Sequence, residues 1–116
     1  MSAKKKEVRA KFQRETFDRD GHACIICGRK GVSLDAHHIT DRNDMPNGGY
    51  VKENGATLCA EGNPANGHSS CHEKAELFHV SKGRSWIPGL HPDELYKRIG
   101  SSKEKAIKAS ERLGRE

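Results

Sequence analysis

Four cysteines constrain the fold of this chain more than any other feature of its sequence. Two form a Cys24-x-x-Cys27 pair, and the other two, Cys59 and Cys71, follow singly. Only 33% of the 116 residues are hydrophobic and 32% are charged. A chain this small and polar buries little apolar surface, so a bound metal ion can replace part of the core. Because four thiolates form a closed tetrahedral zinc site, we predict structural Zn²⁺ on these cysteines.

The set of zinc ligands has one alternative. His68-x-x-Cys71 has the spacing of a metal-binding pair, whereas eleven residues separate Cys59 from Cys71. We favour the four cysteines because such sites are common, with His68 in place of Cys59 as the rival set. Free buried cysteines without metal are the third interpretation.

The sequence indicates an intracellular location. The N-terminal lysines are not followed by an apolar segment, and no apolar run is long enough to cross a bilayer. We therefore predict a cytoplasmic protein with no membrane partner. In a reducing compartment, cysteines bind metal more often than they form disulfides.

Positive charge is concentrated at the two ends of the chain. The net charge is +5; residues 1–19 carry seven basic and three acidic groups, and residues 91–116 carry seven and five. The central region, which contains most of the cysteines and histidines, is nearly neutral. This distribution favours a polyanion such as nucleic acid as partner, although lysines can also serve solubility alone.

Apolar periodicity and turn residues predict an α+β chain. A disordered start over residues 1–7 precedes a helix over 8–19. A short strand over 22–24 is followed by strands over 32–39 and 56–59, with a loop over 40–55 between them. The predicted helices span residues 71–80, 92–99 and 101–113, the first capped by Ser69 or Ser70 and the last by Ser101.

A second metal site is suggested by three histidines. His37 and His38 end the first long strand, and His72 follows Cys71 at the start of a helix. Neighbouring side chains of a strand point to opposite faces, so both can reach one site only where the strand ends or bends. The loop over residues 40–55 supplies that ending.

The order of these features resembles the zinc-containing HNH endonucleases. The matching features are Cys24-x-x-Cys27, Asp35-Ala36-His37-His38-Ile39, Gly48-Gly49, Asn54 and Cys71-His72. The resemblance covers residues 20–80 and implies a zinc-stapled ββα-metal domain there. Charge and helical patterns predict a basic N-terminal arm and helix over 1–19 and a C-terminal helical extension over 81–116. The resemblance also implies a metal-dependent endonuclease that nicks or cuts duplex DNA with low sequence specificity, of the type common in phages and mobile elements.

The resemblance assigns roles to four residues. His38 corresponds to the general base, a task that an imidazole can perform near neutral pH. His37 and His72 correspond to ligands of one catalytic Mg²⁺ or Mn²⁺. Many relatives carry an acidic residue at the position of His37, so Ni²⁺ or Zn²⁺ is an alternative. Asn54 corresponds to the asparagine that fixes the loop backbone and orients His38.

Two further residues share a helix face with His72. Glu76 is either an extra ligand, a group that orients His72, or a solvated side chain, whereas we expect a packing or surface role for His79. We read His22 and His91 as structural or capping residues. The expected DNA contacts are to phosphates, with the domain against the minor groove. The basic residues proposed for these contacts are Arg9, Lys11, Arg14, Arg42 and Lys74.

The C-terminal helices have two expected roles, covering the zinc side or binding a protein partner. A different function also fits the sequence: a non-catalytic zinc module that binds nucleic acid, in which the imidazoles serve structure. A simple zinc module, however, has no use for His37, His38, Asn54 and His72.

Overall fold

The fold is α+β, as predicted. The computed structural model describes residues 3–62 and 70–113, with side chains from residue 5 onward. Across these ranges it contains four helices and one two-stranded antiparallel sheet. The elements are α1 (Ala3–Arg19), β1 (Leu34–His38), β2 (Gly55–Cys59), α2 (Cys71–Val80), α3 (Pro92–Arg98) and α4 (Lys103–Leu113). Three short 3₁₀ turns shape the loop between β1 and β2.

The sheet is the framework on which the other elements pack. His37 pairs with Ala56 and His38 with Gly55 across the two strands, and every residue of β2 is buried. A Cβ atom on Gly55 would lie 2.5 Å from the Thr16 hydroxyl and 2.7 Å from the Phe12 ring. Glycine at this position therefore lets α1 approach the edge of the sheet beside His38.

One apolar core connects the cysteines, the sheet and the C-terminal helices. It includes Ile39, Leu58 and Ala75 together with Leu95 and Ala106. Because α3 and α4 contribute to this core, the C-terminal segment packs directly on the central region.

Local capping explains where the helices begin. The Ser70 hydroxyl accepts a hydrogen bond from the Glu73 amide at 3.1 Å, as one of the two predicted caps of α2. His91 caps α3 by accepting from the Asp93 amide at 3.1 Å, ahead of Pro92. The capping role predicted for His91 is therefore confirmed.

Three sequence predictions need correction. Helix α1 begins at Ala3 rather than at residue 8, since lysines favour helix and no glycine or proline interrupts this segment. Residues 22–24 form a turn rather than a strand, because Gly21 and His22 both have positive φ angles (69° and 55°). Ser102, not Ser101, caps α4 through its hydroxyl, which accepts from the Lys105 amide at 3.1 Å.

No helix within residues 3–62 and 70–113 is long and apolar enough to cross a bilayer.

Candidate metal centres

The four cysteines meet at one point, as the zinc prediction requires. Their sulfur atoms all lie within 4.8 Å of one another, and the sulfurs of Cys27 and Cys59 are 3.8 Å apart. Tetrahedral zinc with Zn–S bonds of about 2.3 Å separates its sulfurs by about 3.8 Å. The cluster can therefore hold a metal ion such as Zn²⁺. The rival ligand, His68, lies outside the described residues.

Backbone hydrogen bonds bring the cysteines together from three parts of the chain. The Gly28 amide donates to the Cys24 carbonyl at 2.9 Å, which closes the turn that carries Cys24 and Cys27. The Ile25 amide donates to the Thr57 carbonyl at 3.0 Å and thereby fixes this turn to β2. Cys59 ends β2 and Cys71 opens α2, and the Cys71 amide donates to the Cys59 sulfur at 3.2 Å.

The pKa values of two thiols in the cluster are shifted in opposite directions. Burial raises the pKa of Cys24, but hydrogen bonds from the backbone of Cys27, Cys59 and Ile26 lower it to about 7. Burial and then the negative charge of Cys24 raise the pKa of Cys71. A first thiolate thus opposes the ionisation of its neighbour, and a bound cation removes this conflict.

A second cluster consists of His37, His72 and Glu76. One ligand atom of each lies within 4.8 Å of the others. Glu76 Oε1 is 3.3 Å from His37 Nδ1 and 3.2 Å from His72 Nε2. An octahedral ion with bonds of about 2.1 Å separates adjacent ligands by about 3.0 Å. The spacing therefore fits a divalent ion, and His37 and His72, which the sequence pairs, lie side by side.

The protonation states and partners of these groups also suit a cation. His37 is 1% exposed, and its Nδ1 atom faces Glu76 Oε1 without a well-aligned hydrogen bond. Burial lowers the pKa of His37, which favours the neutral imidazole that binds metal. The two imidazoles lower the pKa of Glu76, so this carboxylate is ionised.

A carboxylate on β1 holds the imidazole of His72 in place. Asp35 Oδ2 lies 3.1 Å from His72 Nδ1, which leaves the Nε2 atom for Glu76 or an ion. Hydrogen bonding to Glu76 and the charge of Asp35 raise the pKa of His72. Asp35 has no role predicted from the sequence, although it lies two residues before His37 and so shares its strand face.

His38 lies beside this cluster. Its imidazole packs against the rings of Phe12 and Tyr50, with centroid distances of 4.8 and 4.6 Å. Burial, followed by the charges of His37 and Arg42, lowers the pKa of His38 to about 4. The imidazole is therefore neutral at physiological pH and can accept a proton.

The side chains of His38, His72 and Glu76 line one pocket of about 410 Å³. Its lining includes His38, His72, Glu76, His79, Arg42 and Tyr50. At its edge, the Arg9 guanidinium lies 5.2 Å from the centre of the Tyr50 ring, and Arg42 donates to the Tyr50 hydroxyl at 3.5 Å. Of the other predicted DNA contacts, Lys11 and Arg14 are exposed on α1, and Lys74 is half-buried on α2.

Asn54 closes the loop that follows His38. Its side chain is fully buried; Oδ1 accepts from the Thr40 amide at 3.0 Å, and Nδ2 donates to the carbonyls of Thr40 and Gly49 at 3.1 and 3.3 Å. A Cβ atom on Gly49 would lie 2.7 Å from Nδ2, so glycine is required at this contact. The bonds fix the backbone two residues after His38.

Two residues make contacts around the site that the sequence did not predict. His79 Nε2 donates to the His38 carbonyl at 2.9 Å, and its ring stacks on His37 at 5.4 Å, so its packing role supports the site directly. The Tyr96 hydroxyl donates to Asn54 Oδ1 at 2.7 Å. No sequence signal indicates this contact, because the two positions are 42 apart along the chain.

Together, a two-stranded sheet and a following helix enclose a His/His/Glu cluster beside a four-cysteine cluster, which defines the ββα-metal class of fold. Among protein families, residues 24–77 match the model of the HNH endonucleases. The match indicates a nuclease, supports DNA as a partner, and agrees with the use of a divalent metal. Comparison with curated proteins and with solved structures gave no significant match.

Proposed function

We propose that this protein is a metal-dependent DNA endonuclease of the HNH type, which nicks or cuts duplex DNA with low sequence specificity. The observation that supports this most strongly is the position of His38. A neutral imidazole lines the same pocket as the ligand atoms of His72 and Glu76, with His37 directly adjacent.

In this proposal, His37, His72 and Glu76 hold a catalytic Mg²⁺ or Mn²⁺, with Ni²⁺ or Zn²⁺ as alternatives. When bound, such an ion stabilises the negative charge that develops on the phosphate and on the leaving 3′-oxygen. Asp35 fixes the orientation of His72, as carboxylates behind metal-bound histidines commonly do. The four cysteines hold a separate structural Zn²⁺.

His38 acts as the general base. It takes a proton from a water molecule, the water oxygen forms the new bond to phosphorus, and the bond from phosphorus to the 3′-oxygen breaks. The departing 3′-oxygen takes a proton from solvent, and His38 afterwards returns its own proton to solvent. Because Nε2 of His38 is buried, we assign the proton transfer to Nδ1. His79 holds the His38 carbonyl and Asn54 holds the backbone two residues later, so the imidazole does not need to reorganise during the reaction.

DNA is bound mainly through its phosphates, along the minor groove. Arg42 and Arg9 lie at the edge of the pocket and are positioned to contact the phosphates next to the one that is cleaved. Lys11 and Arg14, on another face of α1, and Lys74, on α2, add further positive charge. Phosphate contacts carry no sequence information, so we expect dispersed cut sites, and a single sharply defined site in sequenced products would contradict this.

Conversion of supercoiled plasmid to nicked and linear forms tests the proposal. We expect cleavage with Mg²⁺ or Mn²⁺ and none in EDTA. The H38A variant should lose about 10²- to 10⁴-fold in rate while it still binds duplex DNA. H22N is the matched control: it removes an exposed histidine that pairs with Asp18, and asparagine tolerates the positive φ angle of that position.

Two results would overturn the proposal in different ways. Full activity in H38A would mean that another group is the base. DNA binding by the wild-type protein without cleavage, in the presence of each of the four ions, would instead favour the non-catalytic zinc-binding module.

A further inference from the structure

Helix α3, in the C-terminal segment, reaches the loop that follows His38. Tyr96, which lies outside the segment that matches the HNH family, is 3% exposed and points its hydroxyl at Asn54. The Tyr96 hydroxyl lies 2.7 Å from Asn54 Oδ1 and 2.7 Å from the Thr40 hydroxyl. Since the carbonyl oxygen of Asn54 can only accept, Tyr96 donates to Asn54 and Thr40 donates to Tyr96.

These bonds complete the hydrogen bonding of the Asn54 amide. Oδ1 accepts from the Thr40 amide and from Tyr96, and Nδ2 donates to two backbone carbonyls. A side-chain amide has two acceptor sites and two donor hydrogens, so all four are used. Burial raises the pKa of Tyr96, which keeps its hydroxyl protonated and able to donate.

We infer that Tyr96 is a positioning residue for the catalytic loop: through Asn54 and Thr40, its hydroxyl holds the backbone that follows His38. This inference rests on the proposed nuclease function and extends the catalytic unit beyond the matching segment. A buried amide with one unsatisfied acceptor site shifts or loses its alignment, and an imidazole displaced by a fraction of an ångström transfers protons less effectively.

Tyr96→Phe is the direct test, because it removes only the hydroxyl and retains the buried ring. The matched control is Ser101→Ala, which removes another hydroxyl of the same region; Ser101 donates to the Glu53 carbonyl at 2.9 Å, one residue before Asn54, without touching the amide. We expect kcat for plasmid nicking to fall about tenfold in Y96F with KM unchanged. In S101A we expect kcat to stay within about twofold of the wild type, although the two variants lose similar thermal stability.

A second measurement does not depend on cleavage. In NMR spectra of the protein without DNA, the amide signal of Thr40 and the ring signals of His38 should shift in Y96F and stay in place in S101A. If the wild-type protein does not cleave DNA, the proposed function fails, but these spectra still decide whether Tyr96 positions the loop.

Thr40→Val provides a second variant if Y96F does not fold. It removes the hydroxyl that donates to Tyr96, so we expect a smaller decrease in kcat of about threefold and a shift of the His38 signals in the same direction. Unchanged kcat and unchanged His38 signals in Y96F would overturn the inference. Equal losses of kcat in Y96F and S101A would also overturn it, since they would indicate a general effect on stability.

Discussion

The two candidate metal centres of this protein have different types of ligand. The thiol cluster has four soft ligands; Cys24, Cys59 and Cys71 are each at most 6% exposed, and only Cys27 is exposed. The second cluster has two imidazoles and one carboxylate, and the Glu76 side chain is 39% exposed beside a pocket. The first can fill all four positions of a tetrahedral ion, whereas the second leaves positions of an octahedral ion open.

This difference separates stability from chemistry within one small chain. A closed site has no position for water or substrate and can contribute only to the fold. An open site binds its ion more weakly but can present it to a phosphate. Helix α2 belongs to both, because Cys71 and His72 are consecutive residues that point to different clusters. The thiol cluster therefore sets the position of the helix on which the second cluster depends.

The largest expected effect comes from breaking the thiol cluster, which is the closed site. Cys71→Ala should abolish cooperative folding and zinc binding, because structural zinc contributes about 10–16 kcal/mol in small domains, as much as their total stability of about 5–15 kcal/mol. Circular dichroism and zinc content would measure this. A folded C71A protein without zinc would show that the closed site is dispensable for the fold.

Breaking the cluster of His37, His72 and Glu76, which is the open site, should leave the fold intact. Glu76→Gln keeps the size of the side chain but removes the charged ligand, so we expect the affinity for Mn²⁺ to fall about 10- to 100-fold by calorimetry. Zinc content and the unfolding temperature should stay the same. Glu73→Gln, on an exposed position of the same helix, is the control. Equal Mn²⁺ affinities in the two variants would mean that Glu76 is not a ligand.

The smallest effect concerns the edge of the open site. Arg42→Ala should weaken DNA binding about two- to fivefold and reduce the slope of log K against log salt by about one, as expected when one phosphate contact is lost. Lys97→Ala, at an exposed position near the end of α3, should change neither quantity to the same degree. A salt slope that is unchanged in R42A would place the DNA elsewhere.

Most of the fold was predictable because local signals and packing agree. The strands that end at His38 and Cys59, and the helix that opens at Cys71, follow from apolar patterning and capping by Ser70. The start of α1 and the turn at residues 22–24 were not predictable. Both depend on backbone preferences, which weak apolar periodicity does not reveal.

The candidate site was predictable only where its residues belong to an ordered motif. His37, His38, Asn54 and His72 fall in that order, and the structure brings His37 and His72 together. The contact of Tyr96 with Asn54 results from tertiary packing of α3, and no spacing in the sequence encodes it. Glu76 was predictable in part. Helix periodicity placed it near His72, but only the folded structure gives its distance from both imidazoles.

Selective removal of the more weakly bound ion tests most directly whether the two centres have separate roles. The protein would be treated briefly with EDTA and freed of chelator, and its zinc content, unfolding temperature and nicking activity would be measured on the same sample. We expect one zinc ion per chain, an unchanged unfolding temperature, and no nicking until Mg²⁺ or Mn²⁺ is restored. Nicking that persists without added ion, or activity that disappears only as zinc is lost and the chain unfolds, would contradict this account.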